Sequence, residues 1–129
     1  MNLTIDFTHF NYKHDLQLKI QTILEHTEYL VKDFKLFDAI YNYKRIAHLI
    51  EDNIKRSDQL YYPHYKIAEC YFELGFFANS LCELQTTKRL AKTFYSESSD
   101  VTQSIYLLEI KNYMKQYQYT EAIKTYEKA

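Results

Sequence analysis

The chain has 129 residues, 47% of them hydrophobic, with one Gly, one Pro and no Trp. That length holds one domain with a core, and so few turn residues argue against sandwiches and barrels. A formal net charge of −1 gives no global basic field for nucleic acid, and no apolar run nears the ~20 residues that span a bilayer.

Residues 1–12 alternate apolar and polar through Leu3, Ile5 and Phe7, then Phe10 and Tyr12. Period two is a strand signal, but no partner strand follows, so an extended arm on the first helix is expected. Asp15 is a cap for a first helix that runs to about Lys32. Leu16, Ile20, Ile23, Leu24, Thr27, Leu30 and Val31 recur along it at helical spacing. A second helix covers about 36–54, and Ser57-Asp58 marks a break. The third opens near Tyr61-Tyr62-Pro63, where proline's missing N–H costs nothing in the first turn, and Gly75 stops it. A fourth covers about 77–94. The polar run 95–99 is a loop, with Ser99 or Asp100 capping a fifth helix over about 101–115. A sixth starts near Thr120. Three helical hairpins result, at about 15–54, 61–94 and 100–129, in one domain spanning 1–129.

One pattern recurs through these hairpins. Ala122 lies between Tyr119 and Ile123, with Tyr126 four residues on. Ala39, Ile40 and Tyr43 repeat that spacing, and so do Ser80, Leu81 and Leu84. A small residue lets two helix backbones approach closely while larger neighbours fill the space around it. On this reading position 80 needs only to be small. The pattern resembles the second helix of a tetratricopeptide (TPR) repeat. The small residues stand 41 and 42 apart, against a usual period of about 34, so the helices are longer than usual. The fold class expected is all-α, a TPR-like α-α superhelix of about three hairpins with a ~41-residue period.

Enzyme chemistry finds little footing. His9, His14, His26, His48 and His64 include no H-E-x-x-H pair, so no metal site is expected. Gly75 alone cannot build a phosphate-cradling loop, and no Ser or Cys stands in a nucleophile elbow. No catalytic residue, cofactor or enzyme activity is expected. Cys70 and Cys82 read as two buried thiols of a cytoplasmic protein, with a disulfide between them as the alternative, since no signal peptide is visible at Met1. The 14 tyrosines read as packing groups.

In a TPR hairpin the first helix lines the concave face. Counting from the small residues, the inward positions are Glu28 and Lys32, then Tyr62, Tyr65, Glu69, Phe72 and Glu73, then Leu107, Lys111, Met114 and Lys115. Charges flanked by aromatics suit an extended peptide, with polar groups on its backbone or termini and aromatics on its side chains. The partner expected is a short peptide or protein segment, with no nucleic acid and no membrane. The outer side of the last hairpin shows Ile123 and Tyr126 without a following helix. That predicts self-association as a homodimer through the C-terminal hairpin, or a longer natural protein.

A closer resemblance rests on His64-Tyr65-Lys66-Ile67-Ala68-Glu69-Cys70-Tyr71-Phe72. This segment resembles the H-F-K-I-A-E-A-Y-Y-like segments of the Rap family, the response-regulator aspartate phosphatases of sporulating bacteria. Asp38-Ala39-Ile40-Tyr41-Asn42-Tyr43-Lys44 resembles that family's E-A-I-x-x-Y-x-K helix, and Asn112-Tyr113 resembles an N-Y pair of its next repeat. The resemblance covers roughly 35–129. It implies a signalling regulator that holds a secreted quorum-sensing peptide in its concave groove and acts on a response regulator. Asn112 matches an asparagine that clamps the peptide backbone. The peptide-binding set is thus Tyr65, Glu69, Phe72, Glu73, Lys111, Asn112 and Lys115. Residues 1–34 are too short for the family's catalytic three-helix bundle, so phosphatase activity is not carried over. The alternatives are a truncated or subunit form of such a phosphatase, and a structural assembly adaptor.

Overall fold

The structure, a computed structural model, describes residues 13–129, with side chains from His14 onward. The expected extended arm lies outside these residues. Among them the chain forms six α-helices and no strand: α1 (Lys13–Lys32), α2 (Leu36–Asn53), α3 (Tyr61–Glu73), α4 (Phe77–Lys92), α5 (Asp100–Lys115) and α6 (Tyr119–Lys128). Each helix packs on the next in order, and α3 also touches α5.

The apolar spacing of the sequence becomes burial. In α1, Leu16, Ile20, Leu24, Thr27 and Leu30 recur every three to four residues and are all buried. Thr27 is tolerated there because its hydroxyl donates to the Ile23 carbonyl at 2.6 Å. The buried cluster then runs through Ile46, Ile50, Ile67 and Leu84 to Ile105 and Leu108. Each such side chain contributes about 1.5–3 kcal/mol by leaving water. Ala39 and Ser80 are wholly buried and Ala122 nearly so, as expected of residues at close helix contacts.

The three turns inside the hairpins share one geometry. Phe34, Gly75 and Tyr117 have φ of 57°, 82° and 59°. The next residues, Lys35, Phe76 and Gln118, all lie near φ −90° and ψ 70°. In each turn two amides fold back on the preceding helix: Lys35 to Leu30, Phe76 to Tyr71 and Gln118 to Tyr113, each at 2.9 Å, with the left-handed residue bonding three back. This is the Schellman closure, which satisfies the last helical carbonyls. The small residue then donates its amide to the carbonyl of Lys35, Phe76 or Gln118, at 3.0–3.1 Å. Gly75 therefore stops α3 as expected, while two of the three left-handed positions hold aromatics.

Two boundary details need comment. The helix is already formed at Lys13, so Asp15 is not its cap. It sits in the first turn, where a carboxylate favours the positive end of the helix dipole. Of the two candidates before α5, Ser99 is the cap, accepting from the Thr102 amide at 3.2 Å. No helix of the described residues is long and apolar enough to cross a membrane.

Candidate functional site

Two clefts flank α3. The first, of about 330 Å³, lies between α1 and α3 over α2. Val31, Phe34, Leu36 and Tyr43 line one side, and Lys66, Glu69, Cys70 and Glu73 line the other. Those four α3 residues fall at i, i+3, i+4 and i+7, a single helix face. The second, of about 180 Å³, lies between α3 and α5 and is lined by Tyr61, Tyr62, Tyr65, Lys66, Asp100, Val101 and Ser104. Lys66 belongs to both clefts.

Lys66 is fixed by its neighbours. Its ammonium bonds Glu69 Oε1 at 2.9 Å and lies 5.7 Å from the centre of the Tyr62 ring. Burial works against the charge, but the Glu69 carboxylate outweighs it, and the Lys66 pKa is raised. Burial, with Tyr62, Cys70, Glu28 and Glu69 adding to it, pushes the Tyr43 hydroxyl far up, so it stays protonated. Burial and Glu69 likewise push the Cys70 thiol up to about 11, which leaves it a poor nucleophile. Tyr65 donates its hydroxyl to the Ser104 carbonyl at 3.5 Å, and burial followed by Glu69 pushes it up to about 12. The cleft thus combines apolar walls, one central ion pair and the exposed Glu73 carboxylate.

The seven residues singled out from sequence do not converge on one point. Glu69 and Glu73 share the α1/α3 cleft, and Tyr65 lies in the α3/α5 cleft. Phe72 is half-buried outside both, edge-on to Phe77 with ring centres 5.7 Å apart. Lys111 and Lys115 are exposed on α5. Asn112 is wholly buried. Its amide nitrogen donates to Ser80 Oγ and to the Leu108 carbonyl, both at 3.0 Å. The side chain holds α5 to α4 and is closed to any ligand in the clefts.

Sequence reasoning missed Lys66, although its i, i+3 spacing to Glu69 was readable. It also missed Glu109, which is 2% exposed on α5. Glu109 Oε2 bonds Lys88 of α4 at 2.8 Å and Gln85 at 3.5 Å, while Oε1 has no partner among the described residues. Glu109 and Lys88 belong to a third, more polar cleft between α4 and α6, of about 510 Å³. Elsewhere His64 meets Glu83 at 3.0 Å and Glu51 at 3.9 Å, joining α3 to α4 and α2. No cluster of three or more metal-ligating side chains occurs among the described residues.

Compared with known proteins, the chain matches no family model, no curated protein and no solved structure.

Proposed function

We propose that this chain is a regulatory protein that binds an extended peptide or protein segment across α3, in a TPR-like superhelix with a ~41-residue repeat. The observation that carries this reading is the pair of apolar clefts on either side of α3, joined by the Lys66–Glu69 pair. Alternate side chains of an extended segment would enter the two clefts, and the ion pair between them would meet its backbone. Glu73 is exposed and forms no ion pair among the described residues, and neither do Lys111 and Lys115 of α5. The ligand is therefore bipolar, with a Lys or Arg near Glu73 and acidic groups, or its C-terminal carboxylate, toward α5. Phe72 packs on Phe77 outside the clefts and holds α3 to α4, and Asn112 positions α5. The Rap resemblance adds a response regulator as the downstream partner and a cytoplasmic setting.

The test is an array of extended peptides scored by fluorescence polarisation against the full chain. Peptides with an apolar residue beside a Lys or Arg should bind best. Glu73→Gln should weaken binding about 5- to 30-fold, in line with about 1–2 kcal/mol for a charge-assisted contact, and should leave the melting temperature unchanged. Equal binding by acidic and basic peptides, or by the Glu73 variant, would overturn this reading.

A further inference from the structure

The junction of α4, α5 and α6 departs from the repeat that the chain otherwise follows. Counted from the small residues, Lys88 and Glu109 stand where the preceding junction has Ala47 and Ile67. Ala47 and Ile67 are both buried, so an apolar pair suffices to close such a junction. Glu109 is equally buried, at 2% exposure, yet it is an acid. A buried carboxylate gives up stability unless its lone pairs are met. Lys88 and Gln85 meet Oε2 alone, and Oε1 has no partner among the described residues.

Glu109 lines the cleft of about 510 Å³ between α4 and α6. Across it α6 presents Glu121, Lys124, Thr125 and Lys128, which fall at i, i+3, i+4 and i+7 on one helix face. The preceding junction has Asn79, Cys82 and Thr86 where α6 has Glu121, Lys124 and Lys128. Cys82 there is a free, exposed thiol, not the buried one expected from sequence. Lys124 leans on Glu121 at 3.8 Å, while Lys128 is exposed and forms no ion pair among the described residues. Burial, then the Glu109 and Glu121 carboxylates, raise the pKa of Tyr113, so both acids bear on one hydroxyl in the cleft.

We infer that this cleft binds a small zwitterion of the amino-acid kind, its ammonium on Glu109 Oε1 and its carboxylate toward Lys128. The orphan oxygen calls for a donor, and a charged N–H makes the strongest bond to a carboxylate. A metal ion does not suit the place, because Lys88 already holds Oε2 and no cluster of three metal-ligating side chains occurs among the described residues. The lining carries three lysines, 88, 124 and 128, and three glutamates, 109, 121 and 127. A polycation would meet the lysines and a polyanion the glutamates, whereas a molecule with one charge of each sign complements both. Access to Glu109 needs no helix to move: the side chains of Lys88 and Lys124 are long and partly or wholly exposed, and such groups change rotamer readily. The cleft shares no residue with those around α3, so this site stands or falls independently of the peptide reading.

Isothermal titration calorimetry of the full chain is the test. The probes are glycine, β-alanine and 4-aminobutanoate, with methylammonium and acetate as single-charge probes. At least one zwitterion should bind about 10-fold tighter than either single-charge probe, the gain from a second charge-assisted contact. Lys128→Ala, at an exposed site, should weaken that binding about 5- to 10-fold and leave the melting temperature unchanged. Glu109→Gln should abolish it. Because that change also disturbs Lys88, the double variant Lys88→Met with Glu109→Ile separates loss of the site from loss of the fold. It restores an apolar junction, so it should keep the helical signal and bind none of the probes. Binding that survives Glu109→Gln or the double variant, or that ignores Lys128→Ala, would overturn the inference. So would methylammonium binding as tightly as the zwitterions. No heat with any zwitterion would also overturn it, and would mean that water alone meets Glu109 Oε1.

Discussion

Asn112 of α5 donates its side-chain amide to the Ser80 hydroxyl of α4 at 3.0 Å, and Ser80 donates in turn to the Ala68 carbonyl of α3 at 2.8 Å. The relay is buried throughout and strings three helices together. Position 80 must therefore be more than small. Ser80→Ala removes an acceptor from a buried amide and should cost about 1–2 kcal/mol. Asn112→Ala should cost at least as much, since it also leaves a cavity. The two changes share one bond, so the double variant should lose less than the sum. Urea melts of the four proteins measure this, and strict additivity would show that the bond contributes nothing.

The hairpin turns place different residues in one backbone conformation. Phe34 and Tyr117 stand at positive φ with 64% and 79% of their surface exposed, so little packing offsets the strain. A non-glycine residue in this region gives up roughly 1–2 kcal/mol. Phe34→Gly and Tyr117→Gly should each stabilise the chain by about 1 kcal/mol, after glycine's greater freedom when unfolded is counted. Gly75→Ala should destabilise by a similar amount. Its cost is conformational alone, because an added Cβ meets nothing within 4 Å. Thermal melts should separate the three variants in sign, and a stabilising Gly75→Ala would contradict the account.

Helices were legible because their signals are local. Leu16, Ile20 and Leu24 announce α1 by spacing alone, and Gly75 announces the end of α3. Phe34 and Tyr117 were not legible as turn residues, since nothing about a bulky aromatic favours positive φ; only their constant distance from the small residues betrays them. Glu69 and Glu73 were legible as one face of α3. The far wall of their cleft, Val31 and Tyr43, depends on how α1 and α2 pack, which no local pattern encodes. Asn112 drew notice only through the resemblance, as a peptide clamp, and Glu109 drew none; only the packing of α5 on α4 shows that Ser80 and Lys88 meet them.

Glu109 stands where the second hairpin has Ile67, and its side chain is 3% exposed beside Lys88 at 2.8 Å. Lys88 also lies 5.7 Å from the centre of the Tyr106 ring. Lys88→Met would leave the buried carboxylate without its cation and should destabilise by about 2–3 kcal/mol. Adding Glu109→Ile should recover most of that loss or exceed wild type, because apolar packing commonly replaces a buried ion pair without penalty. Denaturant melts of both singles and the double decide it. A neutral Lys88→Met would mean that solvent already screens Glu109.

The last expectation concerns alkaline pH. Burial, then Tyr95, pushes the Tyr61 hydroxyl up to about 12, and burial followed by Glu69 does the same to Tyr65. Tyr106 is also pushed up to about 12, chiefly by donating to Glu97 Oε2 at 2.7 Å. Burial pushes the Cys70 thiol up to about 11. All four are neutral acids that hold their protons more tightly when folded. Their ordinary values are 9.0 for the thiol and 10.0 for tyrosine. Below those values both states are protonated and the stability is fully present. Above them the unfolded chain releases protons that the folded chain keeps, so stability falls as pH rises. The raised pKa of Lys66 acts in the same direction. Urea midpoints should therefore hold steady to about pH 9 and decline across the interval from pH 10 to about 12. Part of the tyrosinate absorbance should appear only as the helical signal is lost. Tyr106→Phe removes one of these groups and should make the decline shallower. A midpoint that stays flat through pH 12, or tyrosinate formation complete while the helices persist, would show that these hydroxyls are open to water in the folded protein.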